Sequence, residues 1–357
     1  LARIYNIHMR LTSWRPTRLQ VLLAVLGIGL FAGGIGLGWV LSQDKKESGF
    51  SAIRQKSDAN GLIDPLLYVT SPESDAFPTY SPLKDALTSY VNETVSGGRA
   101  TDISIYFRDL NGNKWIGVNT DHKFALASML KVATVLAVLR AGEEDNNIVA
   151  TRITLDPKIK LTSQDQAYYP PANQLVLDEP YTIAELMWHQ LVESDNDAET
   201  TLEAYIGQDK VKTVYNDLSL PIPANSGMED DDTAQQYSRL FRVLYSATYL
   251  SRSDSQAVLD LLSRTTFDQG LVAGVPAGTT VAHKFGEAVV PVGSASTTTS
   301  VQVSGVNELH DCGIVYYPGH PYFLCVLTKG NDFPVLASVI KDVSALTWKQ
   351  LETVNGH

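Results

Sequence analysis

Cysteine is nearly absent from this 357-residue chain: Cys312 and Cys325 are the only two, so a disulfide-dense scaffold and C-x-x-C metal or redox motifs are excluded. H-E-x-x-H, the P-loop and the G-x-G-x-x-G fingerprint are also missing, and the seven histidines are scattered, so no metal or other cofactor is expected. Basic clusters are lacking too. Lys and Arg number 28 against 39 Asp and Glu, and four of the arginines fall in the first 41 residues, which hold no acids. An acidic chain without a basic patch does not fit nucleic acid as a partner. Long apolar runs are scarce, with one exception. Val21 to Leu41 carries no charge over 21 residues, about 31 Å as a helix, which matches a bilayer core.

That run is expected to be an uncleaved transmembrane signal anchor in contact with lipid, after a cytoplasmic segment 1–20. Charge alone does not orient it, because Arg3, Arg10, Arg15 and Arg18 before it are balanced by Lys45, Lys46, Arg54 and Lys56 after it. Its two G-x-x-x-G spacings, Gly29/Gly33 and Gly34/Gly38, sit in a glycine-rich window and do not argue for a dimer, so a monomer is expected. Residues 42–75 are polar and proline-interrupted, the composition of a flexible linker.

Residues 76–357 read as one domain. Ser81-Pro82 opens a helix to about Val95. Alternation from Ile103 to Leu110 turns at Asn111-Gly112 into Lys114–Val118, a hairpin. Helical patterns fill the chain from Ser128 to about Ser263, Thr182-x-x-Glu185 being a capping box. Strands are expected near Thr280–Lys284, Thr298–Val303, Cys312–Tyr317 and Tyr322–Thr328, then a helix from about Phe333 to Val354. Strands at both ends with helices between predict an α+β fold. A sheet part, about 76–126 and 270–357, would be interrupted by a helical part, about 127–269, with a cleft between them. Cys312 and Cys325 flank the Pro318–Pro321 turn. The register is open, and two small buried side chains are expected, although an oxidising compartment would permit a bridge.

Three motifs occur in order: Ser128-Met129-Leu130-Lys131, Ser194-Asp195-Asn196 and Lys284-Phe285-Gly286. S-x-x-K also starts at Ser42, Ser81 and Ser338, but only Ser128 opens a long apolar helix followed by the other two. One helical turn puts the Ser128 hydroxyl and the Lys131 amine on one face. A serine hydroxyl needs a base to become nucleophilic, and a lysine serves if burial or a nearby cation such as Lys284 lowers its pKa. The apolar run Val132–Leu139 predicts that burial. A helix start beside Ser128 also favours a developing oxyanion.

From about Asp102 onward the chain resembles the class A beta-lactamases and, more broadly, the penicillin-binding proteins, which carry S-x-x-K, S-D-N and K-T-G in this order. The resemblance implies an antiparallel five-stranded sheet flanked by helices. It also implies an extracytoplasmic catalytic domain acting on beta-lactams or peptidoglycan stem peptides. Ser128 would be acylated, with Lys131 as base, Ser194 relaying a proton to the leaving nitrogen, Lys284 stabilising charge and Asn196 binding the substrate amide. The backbone N–H groups of Ser128 and Glu287, beside Gly286, would form the oxyanion hole, and Tyr169 would border the cleft.

Two departures stand out. Phe285 replaces the family's threonine or serine, whose hydroxyl helps hold a substrate carboxylate. The E-x-x-L-N glutamate that activates the deacylating water is missing. Glu229, the nearest candidate, belongs to an acidic run that reads as a helix N-terminus. A long-lived acyl-enzyme, as in a penicillin-binding protein, is therefore expected beside the beta-lactamase reading. A catalytically silent binding domain is the third alternative.

Overall fold

The computed structural model describes residues 18, 51–54, 61–70, 80–112, 114–143, 147–155, 167–223, 229, 232–291 and 305–355. The chain divides into two units, Leu1–Gly49 and Phe50–His357, and the second holds every strand and helix of the domain. The Val21–Leu41 run and the expected strand Thr298–Val303 lie outside the described residues. Among those described, no helix is long and apolar enough to cross a membrane.

The stretch expected to be a flexible linker contains an antiparallel strand pair, β1 (Ser51–Arg54) and β2 (Leu66–Thr70). Between them the chain is tied to the domain: Asp64 N donates to Tyr245 O at 2.8 Å and Leu62 N to Gln256 Oε1 at 2.7 Å. Backbone hydrogen bonding thus fixes a segment whose side-chain composition gives no pattern.

Helix α1 (Ser81–Ser96) is followed by β3 (Asp102–Asp109) and β4 (Trp115–Val118). Ser81 lies within the first turn rather than at the cap, which Tyr80 occupies. The long buried helix α2 (Lys131–Gly142) comes next, then the short β5 (Arg152–Thr154) and β6 (Pro180–Thr182). Helices α3 (Ile183–Val192), α4 (Asn196–Ile206), α5 (Gln208–Asp217), α6 (Ala234–Tyr245) and α7 (Arg252–Leu262) complete the helical part. The chain then returns through β7 (Val281–Pro291), β8 (Gly305–Val315), β9 (Tyr322–Gly330) and α8 (Phe333–Asn355). The main sheet is five-stranded and antiparallel, in the order β4-β3-β9-β8-β7.

Its inner strands β3 and β9 are buried on both faces. Strand alternation divides them: Tyr106, Phe323, Cys325 and Leu327 enter the core shared with α2 and α6, whereas Ile105, Phe107, Leu324 and Val326 enter the core under α1 and α8. Each such side chain contributes about 1.5–3 kcal/mol of burial, so both layers are needed to hold the sheet. Cys312 and Cys325 are directly opposite in the β8–β9 register and form a disulfide, contrary to the expectation of two unlinked side chains. The capping box at α3 forms as expected, with Thr182 N donating to Glu185 Oε2 at 2.6 Å and Glu185 N to Thr182 Oγ1 at 3.1 Å.

A buried polar network anchors the segment that leads to Ser128. Glu308 on β8 accepts from Ala125 N at 3.0 Å and pairs with Lys329 at 3.1 Å and His310 Nε2 at 3.2 Å. Thr328 N donates to His310 Nδ1, which leaves the proton on Nε2. Burial alone would raise the Glu308 pKa, but His310, Lys329 and the Ala125 amide outweigh it and hold the carboxyl below its usual range. Such a group stabilises the fold at pH values above its unfolded pKa, and that stabilisation fades as pH falls through the lowered folded value. Glu308→Ala is expected to cost about 3 kcal/mol or more at neutral pH. Thermal melts should show the gap to wild type narrowing below about pH 4; a constant gap would contradict this.

Candidate active site

The nucleophile candidate sits in a tight turn rather than in the α-helix proper. Residues Ala127–Leu130 form a 3-10 turn that runs directly into α2, so Ser128 precedes the first α-helical residue, Lys131. Ala127 is held at φ +47°, the left-handed region that costs a side-chain-bearing residue roughly 1–2 kcal/mol. This cost at the residue beside Ser128 is sustained by the packing around it. Met129 and Leu130 in the same turn are buried.

Lys131 is fully buried, and its Nζ reaches Ser128 Oγ at 2.8 Å, Ser194 O at 2.6 Å and Asn196 Oδ1 at 2.5 Å. Two of those partners, a carbonyl and an amide oxygen, can only accept. A neutral amine has two N–H bonds, which the two acceptors consume, so its lone pair is left for the Ser128 hydroxyl. Burial lowers the Lys131 pKa, against the opposing pull of Glu199 and Asp195. The arrangement therefore favours the form of lysine that can accept a proton.

The S-D-N segment bridges α3 and α4. Ser194 has φ +59°, which turns its carbonyl toward Lys131. Asp195 caps α4, its Oδ1 accepting from Asp197 N at 2.8 Å and Ala198 N at 3.0 Å. The helix-cap role and the site role thus coincide: the cap aims Asn196 at Lys131. Ser194 Oγ lies 2.7 Å from Lys284 Nζ and 3.5 Å from Lys131 Nζ, between two amines. Lys284, fully buried within β7, also donates to Phe285 O at 3.0 Å. Its pKa is pushed well down, first by burial and then by the charge of Lys131.

Strand β7 lies against the Ser128 turn because Gly286 has no side chain. A Cβ there would fall 2.4 Å from Leu126 O and 2.8 Å from Met129 Cγ. Residues 286 and 287 consequently run alongside the turn. Phe285 points away from it, stacked on Phe267 at 4.6 Å and edge-on to Tyr169 at 6.1 Å. Where a hydroxyl would serve a carboxylate, the chain builds an aromatic wall. Tyr169 N donates to Glu287 Oε1 at 3.2 Å, which ties the Tyr169 loop to β7. Burial raises the Glu287 pKa above the usual carboxylate range, although the amides of Tyr169 and Tyr168 oppose it.

The resulting cleft, about 640 Å³, is lined by Ser128, Ser194, Asn196, Tyr169, Phe285 and Glu287. All eight residues singled out from sequence are thus accounted for, with Lys131, Lys284 and Gly286 packed directly behind its floor. Glu229 is elsewhere. It does not line the cleft, and the helix expected near Thr233 is α6, whose cap Thr233 forms a capping box with Gln236.

Among the lining residues that the sequence reading misses, one contacts the buried lysine. Glu199, one turn after Asn196 on α4, places Oε2 3.7 Å from Lys131 Nζ. The i, i+3 spacing from Asn196 is the available signal.

A family model described as the Beta-lactamase enzyme family matches residues 83–351. Beta-lactamase VEB-1 of Pseudomonas aeruginosa is 23% identical over 278 residues, 72% of this chain and 87% of that protein. The solved structure of PBP-A superposes with a TM-score of 0.61 at 19% identity, covering 76% of this chain and 97% of that one. A class A beta-lactamase from Mycobacterium abscessus does so at 0.59 and 21% identity, covering 75% and 99%. The match spans the sheet, the helical part and all three motifs, and the chain belongs to the Beta-lactamase enzyme family.

Proposed function

We propose that this chain is a serine hydrolase that opens beta-lactams through an acyl-enzyme on Ser128. The observation that carries the reading is the position of Lys131 Nζ, 2.8 Å from Ser128 Oγ, with its two shortest contacts made to the acceptor-only oxygens Ser194 O and Asn196 Oδ1. Ser128 Oγ attacks the lactam carbonyl carbon as its proton passes to Lys131. The carbon–nitrogen bond then breaks, and the nitrogen takes the Ser194 hydroxyl proton. Lys131, within 3.5 Å, returns a proton to Ser194. Lys284, 2.7 Å from the same oxygen, stabilises it while the proton moves. Asn196 and the backbone of Glu287 orient the substrate, and Tyr169 borders it. The charge-free run Val21–Leu41 supports a membrane-anchored form; the placement of the catalytic domain outside the cytoplasm rests on the family resemblance, and a monomer is proposed with it.

The test is hydrolysis of a chromogenic cephalosporin by the full chain, with Ser128→Ala as control. Turnover lost in the control supports the reading, and equal turnover in both would sink it. A second reading, a D-alanyl-D-alanine peptidase with slow deacylation, uses the same acylation. The likeness to PBP-A supports it, and release of D-alanine from a stem peptide would establish it. Phe285 supports the third reading, a silent binding domain, against which the assembled Ser128–Lys131–Ser194–Lys284 contacts stand.

A further inference from the structure

The family glutamate that activates the deacylating water is absent from this sequence, and Glu229 does not reach the cleft. Another carboxylate does. Asp195 caps α4 so that Asn196, Glu199 and Glu203 share one helix face, and all three line the cleft that contains Ser128. Of the two glutamates only Glu199 contacts the catalytic lysine, at 3.7 Å. Glu203, a turn further on, instead accepts from Thr134 Oγ1 at 3.4 Å. We infer that Glu199 is the base that activates water for hydrolysis of the acyl-enzyme at Ser128, a role that rests on the proposed acylation of that serine.

The side chain of Glu199 keeps 24% exposure, toward the cleft, while Lys131 behind it has none. Water can therefore reach the carboxylate from the same side as the acyl group. Burial pushes the Glu199 pKa up, against the pull of Lys131 and Lys284, so it holds a proton more readily than an exposed carboxylate. The proton balance closes through groups already in contact. Glu199 takes a proton from water as the water oxygen bonds to the acyl carbon. The bond from that carbon to Ser128 Oγ then breaks. Lys131, neutral after acylation, takes the proton held by Glu199 and passes one to Ser128 Oγ, 2.8 Å away. The products are a free acid and the restored Ser128 hydroxyl.

The experiment compares the full chain, Glu199→Gln and Glu203→Gln with a chromogenic cephalosporin, following absorbance and intact mass together. For E199Q the expected result is acylation within about 5-fold of wild type and deacylation slowed on the order of 10²-fold or more, so that a single adduct accumulates. Acylation in the variant itself shows that the site is folded. If E199Q does not acylate, Glu199→Asp decides. Wild-type acylation with turnover reduced about 10-fold or more supports the role, and wild-type turnover or lost acylation overturns it. Wild-type turnover in E199Q, or trapping by E203Q in its place, overturns the assignment. A wild-type chain that acylates and never turns over also overturns it, while leaving the Ser128 reading intact. No adduct on wild type removes the Ser128 reading and the Glu199 role with it.

Discussion

Replacing Lys131 with alanine is expected to slow acylation of Ser128 on the order of 10²- to 10⁴-fold, the range for loss of a positioned general base. Lys131 is within hydrogen-bond reach of Ser128 Oγ, and its two shortest contacts, to the acceptors Ser194 O and Asn196 Oδ1, leave its lone pair free for that proton. The same logic fixes a pH dependence. Burial lowers the Lys131 pKa, so the amine becomes a competent base at a pH below that of an ordinary lysine. Acylation in wild type should therefore rise with pH on its acid limb as Lys131 loses its proton, and level off above the lowered pKa. In Lys131→Ala that limb should vanish. Single-turnover acylation measured across pH checks both, and an unchanged limb in the variant would assign it to another group. Ser194 O and Asn196 Oδ1 would lose a donor, so a melt of the variant should accompany the kinetics.

The second large effect is expected from a single methyl group. Gly286→Ala would place a Cβ 2.4 Å from Leu126 O and 2.8 Å from Met129 Cγ. Neither neighbour yields cheaply: the Leu126 carbonyl accepts from Met129 N at 3.0 Å, and Met129 is fully buried. Strand β7 must then move away from the Ser128 turn, carrying the Glu287 backbone with it. If Glu287 N–H and Ser128 N–H together stabilise the oxyanion, acylation should fall about 10²- to 10³-fold. Such a displacement mainly changes the acylation step and costs stability of about 1–3 kcal/mol, as for overpacking elsewhere. Acylation rate and melting temperature of G286A separate the outcomes. Loss of stability with a preserved rate would mean that β7 does not contribute to the oxyanion site.

Much of this arrangement is legible in residue types. The apolar run after Lys131 forces burial of α2 and hence of the lysine, and the hairpin at Asn111-Gly112 and the Thr182 capping box arise from local chemistry. The cysteine register is also within reach. Val315 pairs with Tyr322 across the turn, and counting back three residues on one strand and forward three on the other aligns Cys312 with Cys325. Composition does not reveal where the turn is centred, so the register stays open from residue types alone.

Other features depend on tertiary contacts that no local pattern reports. The β1–β2 pair is formed by backbone hydrogen bonds, and the polar, proline-containing sequence around the short apolar run Leu66–Thr70 makes the stretch read as linker. Glu199 escapes a motif reading because the motif vocabulary stops at Asn196, although one more helical turn reaches the lysine. Phe285 is visible as a departure in the sequence. Its stacking on Phe267 and contact with Tyr169, which turn the change into a cleft wall, require the fold.

The central claim is that Ser128 is the acylated residue, and mapping the adduct tests it most directly. Trypsin cleaves after Lys123 and Lys131, releasing Phe124–Lys131, in which Ser128 is the only serine. The full chain treated with a cephalosporin, quenched and digested should carry one acyl mass on that peptide, absent in Ser128→Ala. An adduct on any other peptide, or one that persists in the variant, would contradict the account.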